Sequence, residues 1–226
     1  MKLYQIAVSP FPPRVRLSLY MKGIDFEVVE PPGFDEAGPK GAFLALNPMG
    51  RGPGLILDDQ RALPESEVIC EYLDDAFPKP SLRPSDPWQR AQVRLLSRIS
   101  DIYLVMAMVP LFDLVVQPSA RRDAAAVGSA HDRVGEALDF LDHYIGTSGY
   151  AVGDGVTTAD GTLAPMLVLV DEWMPACFGQ RSTLPPRSNL SRYWQRVQSD
   201  PLVGRIADEM RVALAERRRR REMAAG

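Results

Sequence analysis

The sequence predicts two domains of different class: an α+β domain over residues 1–78, a linker over 79–87, and an all-α helical domain over 88–226. Residues 1–78 mix short alternating runs with helical ones, in the order strand, helix, strand, hairpin, helix, which gives a small mixed sheet with helices packed on it. Pro78, Pro80, Pro84 and Pro87 then mark a stiff joint. Beyond that joint only long helical periodicities remain. A chain of 226 residues, 46% of them hydrophobic, has enough apolar surface to build a core in each part.

Taken in order, Lys2 to Val8 reads as the first strand. Pro10, Pro12 and Pro13 follow, and prolines lose nothing in a first helical turn, where the N–H groups have no intrahelical partner. Val15, Leu17, Leu19 and Met21 carry this helix to Gly23, a residue suited to ending it. Ile24 to Glu30 alternates as a second strand, and a Pro/Gly-rich loop covers Pro31 to Gly41. Phe43 to Leu46 makes one helical turn before Asn47-Pro48. Leu55-Ile56-Leu57 and Arg61-Ala62-Leu63, joined by Asp58-Asp59-Gln60, form a hairpin. Glu65 to Ala76 is an amphipathic helix with Val68, Ile69, Tyr72 and Leu73 inward. After the joint, Pro87 to Gln117 is one helix or a kinked pair, Ala120 to Ile145 another, and Thr158 to Trp173 a buried one. Asn189 to Asp200 and Leu202 to Arg220 complete the set. Thr157 and Asp160 form an S/T-x-x-D cap on the buried helix, a structural device.

Composition narrows the function classes. A formal charge of −3 with mixed signs argues against nucleic-acid binding. Cys70 and Cys177 are far apart and form no CxxC pair, which argues against a disulfide framework and fits a reducing compartment. His131 and His143 lie on a polar helical stretch without ligand partners, so they are expected on the surface and no metal is expected. Met1 to Tyr4 runs into alternating residues with no basic-then-apolar leader. The longest apolar stretch, Tyr103 to Val109 with Leu111 to Val116, is interrupted by Pro110 and Asp113 and reads as too short and broken to span a bilayer. A soluble cytoplasmic protein with no membrane partner is expected. The run Arg217 to Arg221 reads as a solvated helix end facing the negative end of the dipole.

Four segments carry a resemblance to a known family. Ser9-Pro10-Phe11 is followed by Arg14-Val15-Arg16. Asn47-Pro48-Met49-Gly50 precedes Pro53 and Leu55. Leu63-Pro64-Glu65-Ser66 is followed by Ile69, Tyr72 and Leu73. Gly153-Asp154 precedes Thr157-Thr158-Ala159-Asp160. In this order and spacing they resemble the cytosolic glutathione transferases, over nearly the whole chain. Ser9-Pro10-Phe11 is similar to the active-site stretch of serine-type and omega-type members. Cys70-Glu71-Tyr72-Leu73 and Ser81-Leu82-Arg83-Pro84 with Asp86-Pro87 are most similar to bacterial members, some of which cleave β-aryl ethers. The resemblance implies a thioredoxin-like first domain, glutathione as cosubstrate and a homodimer.

Ser9 stands between strand and helix, where the helix dipole makes a positive potential. A thiol of pKa about 8.5 is mostly protonated at neutral pH. A hydroxyl donating to the sulfur would favour the anion, which then attacks an electrophilic carbon. From position alone Ser9 is equally an N-cap with Pro10 at N1. A serine cannot form the mixed disulfide a reductase needs, so conjugation, elimination or displacement is favoured. Tyr4, the other nearby hydroxyl, reads as an ordinary strand residue.

By resemblance, Gly52-Pro53 is the cis-proline turn that pairs its main chain with the cysteinyl part of glutathione; the alternative is a flexible Gly-Pro-Gly loop. The N–H groups and hydroxyl at Glu65-Ser66 suit the γ-glutamyl carboxylate, and Glu65 its ammonium; the alternative is first-turn charge and a cap. Lys40 is placed near the glycyl carboxylate, or is simply solvated. An electrophile pocket between the domains would draw on some of Phe11, Pro12, Tyr103, Met106, Val109, Phe112 and Trp173, a stripe that is more often plain core than pocket. The expected function is a glutathione transferase acting on an apolar or aromatic electrophile by conjugation or ether cleavage, in detoxification or aromatic metabolism. The alternative is a binding module that keeps the fold without turnover.

Overall fold

The computed structural model describes residues 1–30, 42–179, 181–186 and 188–225. Its first domain comprises β1 (Lys2–Tyr4), α1 (Pro12–Met21), β2 (Glu27–Val29), α2 (Ala42–Leu46), β3 (Gly54–Ile56), β4 (Ala62–Pro64) and α3 (Ser66–Ala76). The sheet order is β2-β1-β3-β4, with β1 parallel to β2 and antiparallel to β3, and β3 antiparallel to β4. This is the thioredoxin-like arrangement.

Both early strands are shorter than the alternation suggested. β1 ends at Tyr4 because the chain turns back at once, with the Ser9 N–H donating to the Ile6 carbonyl at 3.1 Å. β2 starts only at Glu27 because Ile24 still belongs to the end of α1. Gly23, at φ 62°, closes that helix with N–H bonds from Gly23 to Tyr20 and from Ile24 to Leu19, the paired bonds of a Schellman stop.

α1 is buried from Pro12 through Leu19. Val15 and Leu19 pack with Leu3, Leu55, Ile69 and Leu73 in the sheet core, whereas Leu17 joins the core of the second domain. A helix sandwiched between two cores needs no polar face, which explains why its apolar residues do not form one stripe. At Gly161 of the second domain a Cβ would stand 2.9 Å from Leu17 Cδ2 and 3.0 Å from Arg14 Cα. The absence of a side chain lets the two domains meet there.

In α3 the inward stripe is Ser66, Ile69, Cys70 and Leu73, at i, i+3, i+4 and i+7. Val68, expected inside, is 49% exposed, and Cys70 takes that place. The helix begins at Ser66, one residue later than predicted, with Glu65 as its N-cap.

The joint is held by Asp74 of α3, whose buried carboxylate accepts from Lys22 Nζ at 2.8 Å, Ser81 Oγ at 2.6 Å, the Leu82 N–H at 2.9 Å and Arg83 Nε at 2.9 Å. Burial pushes this carboxyl up, but the bonds from Lys22, Ser81, Leu82 and Arg83 outweigh it and hold it below the usual range. A depressed folded-state pKa stabilises above the unfolded value and loses that contribution as pH falls through the folded one. Stability should therefore fall on acidification below about pH 4. Asp74→Asn should flatten that limb of a denaturation-versus-pH series; an unchanged limb would show that Asp74 does not carry it.

The second domain opens with α4 (Pro87–Ile99), capped by Asp86 accepting from the Gln89 N–H at 2.8 Å. A π-turn at Ser100–Leu104 leads without a break into α5 (Val105–Val115), and the helix continues through Pro110. Pro87–Val115 is thus long and apolar enough to cross a bilayer by length and composition, contrary to the broken stretch expected. Its apolarity has another explanation: Val93, Leu96, Ile99, Leu104, Met108 and Leu111 face the domain core. α6 (Ala124–Tyr144) follows a 3-10 turn at Ser119–Arg121. α7 (Thr158–Val168) is buried throughout and continues through a π-turn at Leu169–Trp173 into α8 (Met174–Phe178). α9 (Asn189–Val197) and α10 (Pro201–Ala225) complete the domain.

α10 returns to the first domain. Tyr20 Oη donates to Glu209 at 2.8 Å, Arg16 pairs with Glu209 at 2.9 Å, and the Arg205 guanidinium lies 3.7 Å above the Tyr20 ring. At its far end Arg218 and Arg220 are exposed beside Glu222 and Glu216, at 3.6 and 3.9 Å, as a solvated helix end would be. His143 is exposed, with its ring edge against Tyr144. His131 is half-buried rather than on the surface, and burial pushes its pKa down. Among the described residues no three His, Cys, Asp or Glu side chains gather as metal ligands would.

Candidate active site

Strand register brings the three sequence segments to one end of the sheet. Tyr4 of β1 pairs with Gly54 of β3, which pairs with Pro64 of β4, so these residues form a row across the sheet. Ser9 follows Tyr4, Pro53 precedes Gly54, and Glu65 and Ser66 follow Pro64. An ion pair of 2.8 Å from Arg14 of α1 to Glu67 of α3 fixes the starts of the two helices to each other.

Ser9 is half-buried and lies ahead of the helix rather than capping it. The N-cap is Phe11 and the first helical residue Pro12, which removes the reading of Ser9 as N-cap with Pro10 at N1. Ser9 Oγ accepts from the Phe11 N–H at 3.5 Å, so its own hydrogen is left to donate elsewhere. Pro12 and Pro13 have no N–H, so Arg14 is the first helical residue that carries one. The helix end keeps its dipole but has fewer donors than the sequence reading assumed, and the hydroxyl becomes correspondingly more important.

The Gly52–Pro53 peptide is cis. The loop that carries it is pinned by Asn47, which is buried and donates through Nδ2 to the Arg51 carbonyl at 2.6 Å while accepting from the Met49 N–H at 3.1 Å. Glu65 has φ 70° and ψ 114°, a conformation that costs a non-glycine residue about 1–3 kcal/mol and that clusters at ligand sites. Its side chain is exposed, and Ser66 behind it is buried. Lys40 lies outside the described residues.

The residues expected around an electrophile do not share one surface. Pro12 is buried and Phe11 half-buried, under the Arg14 guanidinium at 5.6 Å. Phe112 packs against Trp173 at 5.3 Å, and Trp173 against Phe178 at 6.0 Å. Tyr103 and Met106, 52% and 60% exposed, instead line an open groove with Ile102, Val109 and, from α6, Phe140. Tyr103 stands edge-on to Phe140 at 5.5 Å. Neither Phe11, Pro12 nor Phe112 lines that groove, so the expected pocket is divided. Helical periodicity told the faces apart without telling which neighbour each one meets.

One charged residue was missed as a site element. Arg14 is 2% exposed and is held bidentately by Asp101 of the second domain as well as by Glu67. Burial would lower its pKa, but the bonds to Asp101 and the charge of Glu67 raise it, so it stays charged. The signal was an arginine inside a helix with no polar face. Cys70 is no rival nucleophile: burial pushes its thiol up to about 12 despite a contact from Ser18.

A thioredoxin-like domain with a helical domain behind it, and a hydroxyl, a cis-proline and a strained helix start at one end of the sheet, define the glutathione transferase class. Residues 3–81 match the model of the glutathione S-transferase N-terminal domain and residues 102–201 that of the C-terminal domain. The chain belongs to the glutathione transferase family. It is 33% identical over 184 residues to maleylacetoacetate isomerase of Pseudomonas aeruginosa, covering 76% of this chain and 86% of the relative. It is 38% identical over 107 residues to protein LigF of a Sphingobium species, across 46% of this chain and 40% of that one. Among solved structures, maleylacetoacetate isomerase of Methylobacterium extorquens AM1 with bound malonate and glutathione superposes with a TM-score of 0.74 at 26% identity, covering 93% of this chain and 97% of that one.

Proposed function

We propose that this protein is a glutathione-dependent enzyme whose Ser9 hydroxyl favours the thiolate of bound glutathione for attack on an apolar or aromatic carbon electrophile. The observation that carries this reading is the row Tyr4–Gly54–Pro64, from which Ser9, Gly52–Pro53 and Glu65–Ser66 all depart. Ser9 donates to the sulfur, the main chain of Gly52 pairs with the cysteinyl unit, and the N–H groups and hydroxyl at the start of α3 take the γ-glutamyl carboxylate, with Glu65 beside its ammonium. Phe11 and Phe112 remain the candidates for contact with the electrophile. Solved relatives that hold glutathione support this assignment of the ligand.

Ser9 in place of a cysteine favours carbon electrophiles over disulfides. Conjugation, ether cleavage and double-bond isomerisation share the thiolate step. The isomerase relatives make the last as worthy of assay as transfer. Retention on immobilised glutathione, with turnover of a chloronitrobenzene and of maleylacetoacetate side by side, tests the reading. Retention with no turnover of either, unchanged in Ser9→Ala, favours a binding module instead. Ser66→Ala should mainly raise the Michaelis constant for glutathione, by about tenfold, and leave turnover at saturation nearly intact. An unchanged constant would remove Ser66 from the site. The exposed apolar strip of Ile102, Tyr103, Met106 and Val109 supports association as a homodimer. Sedimentation as a 25.0 kDa monomer would count against it.

A further inference from the structure

The proposed chemistry leaves Arg14 unused, yet among the described residues it is the cation whose bonds join α1, α3 and the second domain. It is the third residue of α1 and follows Ser9 by one turn of loop. Its Nη1 donates to Glu67 Oε2 at 2.8 Å and to Asp101 Oδ2 at 3.0 Å, and its Nη2 to Asp101 Oδ1 at 2.6 Å. Glu67 directly follows Ser66 on α3, and Asp101 sits in the π-turn between α4 and α5. Two carboxylates from different elements thus fix the direction of one planar fork, a geometry that a lysine ammonium cannot reproduce. The backbone beneath is equally constrained. The Arg14 carbonyl accepts from Ser18 Oγ at 3.1 Å and Cys70 Sγ at 3.5 Å, and α7 packs so close that a Cβ at Gly161 would stand 3.0 Å from Arg14 Cα.

We propose that Arg14 is a positioning residue for the glutathione site. Through Glu67 it holds the start of α1, with Ser9, at a set separation from the start of α3, with Glu65 and Ser66. Through Asp101 it locks both to the second domain. The inference rests on the reading that these segments bind glutathione. A tripeptide anchored at its sulfur by one helix start and at its γ-glutamyl carboxylate by the other binds well only if the two starts keep their spacing. Loosening the frame lets one end bind at a time, weakening affinity and the hydrogen bond from Ser9 together.

The test compares wild type with Arg14→Lys, Arg14→Gln and Glu67→Gln. For each, thermal midpoint, kinetic constants for glutathione and for the electrophile, and the ultraviolet absorbance of bound thiolate across pH are measured well below the midpoint. Folded variants should show the Michaelis constant for glutathione raised about tenfold, with that for the electrophile nearly unchanged. Their thiolate should titrate at higher pH than in wild type. A merely structural Arg14 would lower the thermal midpoint but leave both readouts where they are, and that result overturns the proposal. If the Arg14 variants fail to fold, Glu67→Gln, which removes one arm of the frame while keeping its shape, decides the matter on the same readouts. Wild type that is not retained on immobilised glutathione overturns the functional reading and this inference together. Wild type and variants retained and titrating alike overturn the inference alone.

Discussion

Ser9→Ala should lower turnover by about ten- to a thousandfold, the worth of one hydrogen bond to a developing anion plus its positioning. The large upper bound follows from the helix beside it. Pro12 and Pro13 remove N–H groups that would otherwise share the sulfur's charge, and the Phe11 N–H is directed to Ser9 itself. The hydroxyl therefore carries more of the stabilisation than it would at an ordinary helix end. The same variant should shift the titration of bound thiolate upward by an amount that matches the rate loss, since each pKa unit corresponds to about 1.4 kcal/mol. A silent Ser9→Ala combined with an inactive Tyr4→Phe would move the role to Tyr4, whose ring stacks on Phe43 at 5.4 Å.

The largest stability effect is expected at Asp160. This carboxylate has no exposed surface and accepts from the Ala151 N–H at 2.9 Å, the Thr157 N–H at 2.8 Å, Thr157 Oγ1 at 3.0 Å and Tyr193 Oη at 3.0 Å. Asp160→Ala would leave those buried donors facing a cavity, at a cost of about 3–5 kcal/mol. That is a large part of the 5–15 kcal/mol, roughly, by which domains are stable. Tyr193→Phe removes one donor while Asp160 keeps the others, and should cost only about 1 kcal/mol. Urea denaturation measures both. Asp160→Ala within about 1 kcal/mol of wild type would refute the hub. Because Gly161 packs directly on α1, failure here should also abolish glutathione retention.

The change of class near residue 80 was legible because prolines and a switch in periodicity mark it in the chain itself. The segments at Ser9 and Glu65–Ser66 were legible for a related reason, since helix starts need particular residues locally, whereas the Gly52–Pro53 turn was legible only through the family resemblance. The role of Arg14 was not legible: a helix without a polar face hints that its arginine is buried, but the partners lie 53 and 87 positions away and no local pattern names them. The same limit divided the apolar stripe on the π-turn and α5. Tyr103, Met106 and Phe112 are alike in sequence, but Phe112 meets Trp173 while Tyr103 meets Phe140 of α6. Val68 was misplaced because the inner stripe was traced through its most apolar residues, whereas it runs through Ser66 and Cys70 at i and i+4, beside Ile69 and Leu73.

The most direct measurement is a crystal structure of the protein with reduced glutathione. Ser9 Oγ should lie within about 3.3 Å of the sulfur, with the γ-glutamyl carboxylate at Ser66. A sulfur nearer the Tyr4 hydroxyl, or a tripeptide bound away from the Tyr4–Gly54–Pro64 row, would contradict the account.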